Sequence, residues 1–291
     1  MSAVVVNGIF VGLVYGLLAV GLVVVYRVSR IVNFAYGETG MLAAFVFFGM
    51  RLETGVVGVT DHGIILALPV AILLGAAIGA AMEWVIARPL RKNPVLNGMV
   101  GTIAASLLFI TIGIDVWGPD VRPTKPLVEG AGFDVAGLTI SPQQLLIGLC
   151  TAIILAGLSV MYRYTTFGLR LRATATDPYA AALSGINTNM TAMGTWALAG
   201  ALSAVSAILI APLVAMNVLF MTLLALRSFA AALIGGLTSL LGAFVAGIAL
   251  GVFEGVVAFK SPVTGMTDVL VAVGILLLLV LRPGGIVRAA Y

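Results

Sequence analysis

Long apolar runs set the strongest limit on how this chain folds. A helix that crosses the hydrocarbon core of a bilayer needs about 20 predominantly apolar residues. Nine stretches meet this rule: Val4–Tyr26, Ile31–Met50, Gly63–Ala87, Val95–Val116, Pro142–Tyr162, Met190–Val214, Leu219–Gly236, Leu240–Phe259 and Thr267–Leu281. Charged residues make up only 9% of the 291 residues, against about 25% in soluble domains. The sequence therefore predicts one all-α integral membrane domain over residues 1–291, with eight or nine transmembrane helices.

The basic residues predict how the spans are oriented. Ten of the fifteen follow the first, third, fifth and last spans: Arg27, Arg30, Arg88, Arg91, Lys92, Arg163, Arg170, Arg172, Arg282 and Arg288. An even number of spans separates each pair of neighbouring clusters. Because loops rich in Lys and Arg stay in the cytoplasm, all four clusters are predicted to be cytoplasmic, with the N-terminus outside. The acidic residues Glu53, Asp61, Asp120, Glu129, Asp134 and Asp268 fall in the opposite loops.

Several function classes are excluded by residue counts. With one cysteine, Cys150, and one histidine, His62, the chain cannot form an internal disulfide, a cysteine-based metal site or a multi-histidine site. The small basic excess, 15 against 11, gives no reason to expect nucleic acid. No Ser/His pair and no carboxylate pair appears within the spans, so we expect no catalytic residues. The nucleotide-binding motif requires Gly-Lys-Ser/Thr, and no lysine here follows a glycine.

Two segments resemble each other across the chain. "RIVNFAYGETGMLAAF" (Arg30–Phe45) and "RSFAAALIGGLTSLLGAF" (Arg227–Phe244) each join an arginine, a short apolar helix, a glycine and a second helix. Next come "MEWVIARP" and "FEGVVAFKSP", which place Glu83 and Glu254 near helix ends. The topology makes the halves, 5–120 and 190–285, inverted repeats with broken helices. That pattern is typical of transporters, although chance likeness of small-residue helices is the alternative.

Two loops are substantial. The outer loop, Trp117–Ser141, contains "FDVAGLTI", whose alternation predicts a short strand hairpin. The cytoplasmic loop, 163–189, contains "DPYAAALSGI", in which Asp177 is a candidate N-cap, Pro178 fits the first turn and Gly185 ends the helix. Such a short helix either docks into a cleft of a separate protein or is a solvated surface helix.

These motifs together resemble the membrane permeases of branched-chain amino-acid ABC importers, in particular the shorter of the two paralogues. The matching stretches are "GLVYGLLAVGLVVVYRVSRIVNFAYGE", "EWVIARPLR", "TTFGLRLRATATDPYAAALSGIN", "FAAALIGGLTSLLGAFVAGIALGVFE" and "LRPGGI". The resemblance implies a multi-pass permease of a bacterial or archaeal inner membrane. Such a subunit forms the translocation path for branched-chain or related hydrophobic amino acids and is not an enzyme.

The resemblance also implies partners. These are a second homologous permease in a heterodimer, two ATP-binding subunits and an extracytoplasmic substrate-binding protein. ATP and Mg would be held by the ATP-binding subunits, and we expect no cofactor on this chain. The residues carried over to the contact with the ATPase are Arg170, Arg172, Ala173, Asp177, Ala181 and Gly185.

The substrate path is expected to involve Asn33, Tyr36, Glu38 and Arg227. The family's usual histidine is Tyr36 here, so a role for imidazole titration is lost and the cargo could differ. Glu38 either contacts the cargo or holds the break by capping the second half-helix or by pairing with Arg30 or Arg227. An ion pair is the favoured role for Arg227, and structural roles are favoured for Glu83 and Glu254.

Two other functions stay open at this stage. Permeases of the same superfamily carry urea, short amides, aromatic acids and sugars. A gradient-driven secondary transporter is the alternative of another class, and it predicts transport by the purified chain alone.

Overall fold

Helices make up nearly all of the regular structure in the described part of the chain. The computed structural model describes residues 1–51, 63–91, 93–130, 132–135, 138–260, 269–270 and 272–274. Its helices are α1 (Ser2–Ser29), α2 (Tyr36–Arg51), α3 (Gly63–Met82), α4 (Arg88–Leu90), α5 (Val95–Trp117), α6 (Pro142–Tyr164), α7 (Thr166–Thr176), α8 (Pro178–Leu183), α9 (Thr188–Ile210), α10 (Phe220–Gly235) and α11 (Leu240–Lys260). A π-helical turn, Glu83–Ala87, joins α3 to α4. The predicted hairpin is confirmed as the antiparallel strands β1 (Phe133–Val135) and β2 (Leu138–Ile140).

Six helical stretches in the described residues are long and apolar enough to cross a bilayer. They are Ala3–Ser29, Gly63–Leu90, Val95–Trp117, Pro142–Tyr164, Thr188–Ile210 and Leu240–Lys260. Each corresponds to a predicted span, which confirms the all-α membrane class. Most of the predicted ninth span, Thr267–Leu281, lies outside the described residues, as do Arg282 and Arg288.

The second and seventh predicted spans are shorter helices. Both α2 and α10 have 16 residues, which corresponds to about 24 Å against a hydrocarbon core of about 30 Å. The predicted start of the second span at Ile31 is wrong, because α1 ends at Ser29 and α2 begins only at Tyr36. The break therefore lies at residues 30–35, before Gly37, and not at the glycine that the repeat pattern indicated. The corresponding break in the second half is at 236–239, where Gly236 has a φ of 87°.

The described chain divides into two compact units. The first contains the described residues of Met1–Val23, Pro126–Leu155 and Leu224–Tyr291. In this unit Gly8, Gly12 and Gly16 of α1 lie directly against the backbone of α11 near Gly247 and Gly251. Spacing of four residues between small side chains lets two helices approach closely, and in lipid this close packing drives helix association.

The second unit contains Val24–Lys125 and Ala156–Leu223. Its centre is formed by α2, α3 and α9, which pack against one another. Gly40 of α2 lies against Ser203 of α9, and Gly75 of α3 lies against Gly200 of α9. A side chain at either glycine would overlap backbone atoms of α9, so glycine is required for this three-helix contact.

The α1–α11 contact gives a direct test of the packing. We expect Gly251→Val to destabilise the chain by about 1–3 kcal/mol, because its added carbons would meet the backbone at Gly12. Gly157→Val is the matched control, since a Cβ there meets no atom within 4 Å. Thermal unfolding in detergent measures both variants, and equal stability of the two would contradict the described packing.

Candidate functional site

The break between α1 and α2 is held by specific polar groups. Arg30 ends α1 with a φ of 56°, a left-handed conformation that few non-glycine residues adopt. Within the break, Asn33 Oδ1 accepts a hydrogen bond of 3.1 Å from the amide of Ala35. The Thr102 hydroxyl of α5 accepts from the amide of Phe34 at 3.2 Å and lies 3.1 Å from the carbonyl oxygen of Val32. Asn33 and Thr102 thus satisfy backbone groups that the missing helical turn leaves without partners.

The first turn of α2 carries buried polar side chains. Glu38 is 1% exposed, and its Oε1 accepts a hydrogen bond of 2.7 Å from Thr222. Its other oxygen, Oε2, is buried without a partner, as is the hydroxyl of Tyr36. Leaving a buried polar atom unpaired costs about 1–3 kcal/mol. One oxygen of Glu38 is therefore anchored, while the other has no partner in the described part of the chain and is available to another polar group.

Helix α9 adds hydroxyl groups on the side that faces α2. Ser203 donates a hydrogen bond of 2.6 Å to the carbonyl oxygen of Tyr36. Ser206 lies less than one turn further along α9 and is fully buried, and its hydroxyl has no partner. Tyr36, Glu38 and Ser206 thus give the second unit three buried polar atoms without partners. The predicted path residues Asn33, Tyr36 and Glu38 all belong to this unit.

Arg227 lies in the first unit, within α10. Its guanidinium is 3.0 Å from the Glu254 carboxylate of α11 and donates to the Tyr15 hydroxyl of α1 at 3.2 Å. Tyr15 in turn donates to Glu254 at 2.9 Å. These bonds join three helices and balance the two charges. Of the two arginines considered as partners of Glu38, Arg227 thus pairs with Glu254, and Arg30 donates to the carbonyl of Ala175 at 3.4 Å.

Glu83 begins the π-helical turn and is buried. Its carboxylate accepts a hydrogen bond of 2.5 Å from Arg91, which also donates to the Asn189 side chain at 2.9 Å. Arg91 therefore ties the end of the third span to the first turn of α9. Within the described residues, no three His, Cys, Asp or Glu side chains come together as a metal site.

The loop 163–189 contains two helices where the sequence indicated one. The second, α8, agrees with the prediction: Asp177 accepts from the amides of Tyr179 and Ala180 at 2.8 and 3.1 Å. Gly185 ends the helix with a φ of 80°. The first, α7, was missed, although its N-cap Thr165 accepts from the amide of Gly168 and threonine is a favoured N-cap residue.

The residues predicted to contact the ATPase differ in how exposed they are. Arg170, Arg172 and Asp177 are exposed, and Ala173 is half-buried. Ala181 is buried and fixes α8 against the rest of its unit. Tyr179 and Leu183, by contrast, are 75% and 74% exposed. A capped helix that presents two large apolar side chains away from its own unit is suited to docking into another protein.

Some site residues were not found from the sequence. Thr102, Ser203 and Thr222 each bond a residue far away in the chain. Single hydroxyl residues in apolar helices are common, so no local pattern marks these three. Tyr15 was quoted within the first motif, but its bonds to Arg227 and Glu254 could not be read from it.

Long apolar spans, an interrupted helix and buried polar side chains beside the interruption define a membrane transport protein. A family model described as the permease component of the branched-chain amino acid transport system matches residues 4–281. The chain belongs to this family, so it is an inner-membrane transport permease and not an enzyme. No solved structure matches it.

Named relatives support this membership over nearly the whole length. The high-affinity branched-chain amino acid transport system permease protein BraD of Pseudomonas aeruginosa is 32% identical over 97% of this chain and 94% of that protein. The corresponding LivH of Escherichia coli is 29% identical over 96% of this chain and 93% of that protein. A probable LivH of Methanocaldococcus jannaschii is 27% identical over 84% of this chain and 76% of that protein.

The role of Thr102 in holding the break can be tested. We expect Thr102→Val to destabilise the chain by about 1–3 kcal/mol, since the amide of Phe34 loses its hydrogen bond to the Thr102 hydroxyl. Thr111→Val on the same helix is the control, because the Thr111 hydroxyl is exposed and bonds only one turn back, to Leu107. Melting temperatures in detergent compare the two. Equal values would show that Thr102 does not support the break.

Proposed function

We propose that this permease forms part of the translocation path of an ATP-driven importer for branched-chain or related hydrophobic amino acids. The cargo is inferred from the names of the relatives, which are permeases of branched-chain amino acid transport systems. A second homologous permease, an extracytoplasmic binding protein and two ATP-binding subunits would complete the assembly. ATP and Mg would be bound by those subunits, and this chain would carry no cofactor.

The observation that carries the ATP-driven mechanism is the exposed, rigidly capped helix α8. Asp177 caps its first turn and Gly185 ends it. The helix therefore holds Tyr179 and Leu183 in fixed positions. Closure of the ATP-binding subunits would push on α8. Helix α7 continues from α6 almost without a gap, so this push would be passed to the spans of the second unit.

The path would run past the start of α2. Helix N-termini carry a partial positive charge and free amides, which suit a carboxylate. The unpaired Oε2 of Glu38 suits an ammonium group. An amino acid carries both groups, so the first turn of α2 offers a site for each. Inverted repeats around the two breaks remain part of this proposal. Arg227, named with the path residues in the sequence, would serve through its ion pair with Glu254 and not through contact with the cargo.

Replacing the charge of Glu38 tests its role on the path. Glu38→Gln keeps an oxygen that can accept the Thr222 hydrogen bond but removes the negative charge. We expect amino-acid uptake by the reconstituted complex to fall about tenfold or more, since a charge-assisted hydrogen bond is lost, with little change in melting temperature.

Glu129→Gln provides the control, because Glu129 is an exposed carboxylate in the loop before β1. Intact transport and intact ATPase stimulation in Glu38→Gln would show that Glu38 only braces the broken helix.

The docking proposal is tested by the exposed side chains of α8. Leu183→Asp and Tyr179→Ala are expected to reduce co-purification of the ATP-binding subunits by about tenfold or more, because buried aromatic and apolar anchors dominate such interfaces. Val128→Asp is the control, since Val128 is also an exposed apolar residue but lies in the predicted outer loop. Unchanged co-purification by both α8 variants would overturn the docking role.

A further inference from the structure

A cavity of about 210 Å³ lies within the second unit, where several spans begin or end. Its lining includes Ser29 at the end of α1, Arg91 after α4, Val95 at the start of α5 and Thr188 at the start of α9. Since these are ends of candidate membrane spans, the cavity lies at the depth of lipid headgroups. One water needs about 10–15 Å³ of such space, so the cavity has room for a larger polar group.

Among the described residues, the lining of the cavity carries two positive charges and no negative one. Arg30 and Arg91 both border the cavity. The Arg30 guanidinium makes one long hydrogen bond, 3.4 Å to the carbonyl oxygen of Ala175, and lies 6.0 Å from the centre of the Tyr26 ring. Arg91 is bonded to Glu83 and Asn189, while its Nε is buried without a partner. One carboxylate therefore offsets two guanidinium groups, and an anion would be attracted to the space between them.

Thr174 of α7 gives an independent sign of a missing partner. It lines the same cavity, is 2% exposed, and its hydroxyl has no hydrogen-bond partner. Buried hydroxyl groups are nearly always hydrogen-bonded. The Asp177 carboxylate, three residues further on, accepts from the amides of Tyr179 and Ala180 and is not bonded to this hydroxyl.

The backbone at Arg30 adds a third observation. Its left-handed φ of 56° is an uncommon conformation for a residue with a side chain, and such positions cluster where a ligand is held. Ser29 next to it already has partners: it donates to the carbonyl of Val25 and accepts from the Trp196 indole. The hydrogen bonds of Ser29 therefore do not account for the left-handed backbone at Arg30. We infer that this backbone sets where the Arg30 guanidinium lies at the cavity.

We propose that this cavity binds a phosphate group, with Arg30 and Arg91 supplying charge and Thr174 a hydrogen bond. The headgroup of an anionic phospholipid is the source that the position favours, because basic pockets between membrane helices recognise such headgroups. Val95 at the rim is 50% exposed and would contact the acyl chains. Pro178, the first residue of α8, also lines the cavity, so a bound headgroup would steady the docking helix. The proposal does not depend on the cargo.

The test uses the purified full chain in a neutral detergent and measures its melting temperature. Dihexanoyl phosphatidylglycerol, dihexanoyl phosphatidylcholine and inorganic phosphate are titrated separately at constant ionic strength. We expect phosphatidylglycerol to raise the melting temperature by about 3 °C or more, and phosphatidylcholine to leave it unchanged. A shift with phosphatidylglycerol alone identifies the lipid headgroup, and an equal shift with inorganic phosphate identifies a soluble phosphate compound.

Two variants test whether Thr174 and Arg30 bind the phosphate group. Thr174→Val removes the unpartnered hydroxyl at constant shape and should weaken binding about five- to tenfold. Arg30→Gly removes the guanidinium while permitting the left-handed backbone, and should weaken binding about tenfold or more. Thr176→Val is the control: Thr176 is exposed on the same helix and bonds the carbonyl of Arg172, so binding should not change.

Two results would overturn the proposal. One is that neither phosphatidylglycerol nor inorganic phosphate changes the melting temperature. A side chain from a partner subunit would then be the occupant of the cavity. The other is a shift that persists undiminished in both Thr174→Val and Arg30→Gly, which would reflect attraction to the overall basic charge.

Discussion

The need to satisfy every backbone polar group away from water governs this structure. In hydrocarbon an unpaired amide or carbonyl costs several kcal/mol, so a broken helix is tolerated only where protein groups replace the lost hydrogen bonds. Residues 30–35 are such a break. Asn33 and Thr102 supply the replacements, and the close glycine contacts of α2 and α3 with α9 enclose the region. The interruption of the helix is thereby held with its backbone groups hydrogen-bonded inside the protein.

The same constraint bears on the unpaired side-chain atoms of Tyr36, Glu38 and Ser206. Because the backbone groups of the break already have hydrogen-bond partners, the polar side chains at the start of α2 can bond other groups. Glu38 is held by Thr222 through one oxygen only, and the Tyr36 and Ser206 hydroxyls have no partner. Arg227 and Glu254, in contrast, bind each other and Tyr15. The first group therefore keeps polar atoms free, as the proposed path requires, and the second is a structural brace.

Much of the fold could be predicted because the hydrophobic signal of a span is strong and local. The bounds of α1, α5, α6 and α11 agree with the apolar runs to within a few residues. Asp177, Pro178 and Gly185 likewise mark the ends of α8 through capping rules that act over a few residues.

The break could not be placed so well, because Ile31, Val32 and Ala35 are apolar residues that would continue a helix. The Asn33 side chain, the distant Thr102 and the conformation of Arg30 hold the break there, and the last two are not visible in a local pattern. Helix α7 was missed for the opposite reason: its arginines and threonines give no apolar face to recognise.

Reconstitution of transport tests the account most directly. The chain is placed in liposomes with the proposed second permease, ATP-binding subunits and binding protein, and uptake of a radiolabelled branched-chain amino acid is followed with and without ATP. The account predicts uptake only when ATP and all components are present, and none by this chain alone. Uptake by the purified chain alone, driven by an ion or substrate gradient, would contradict it.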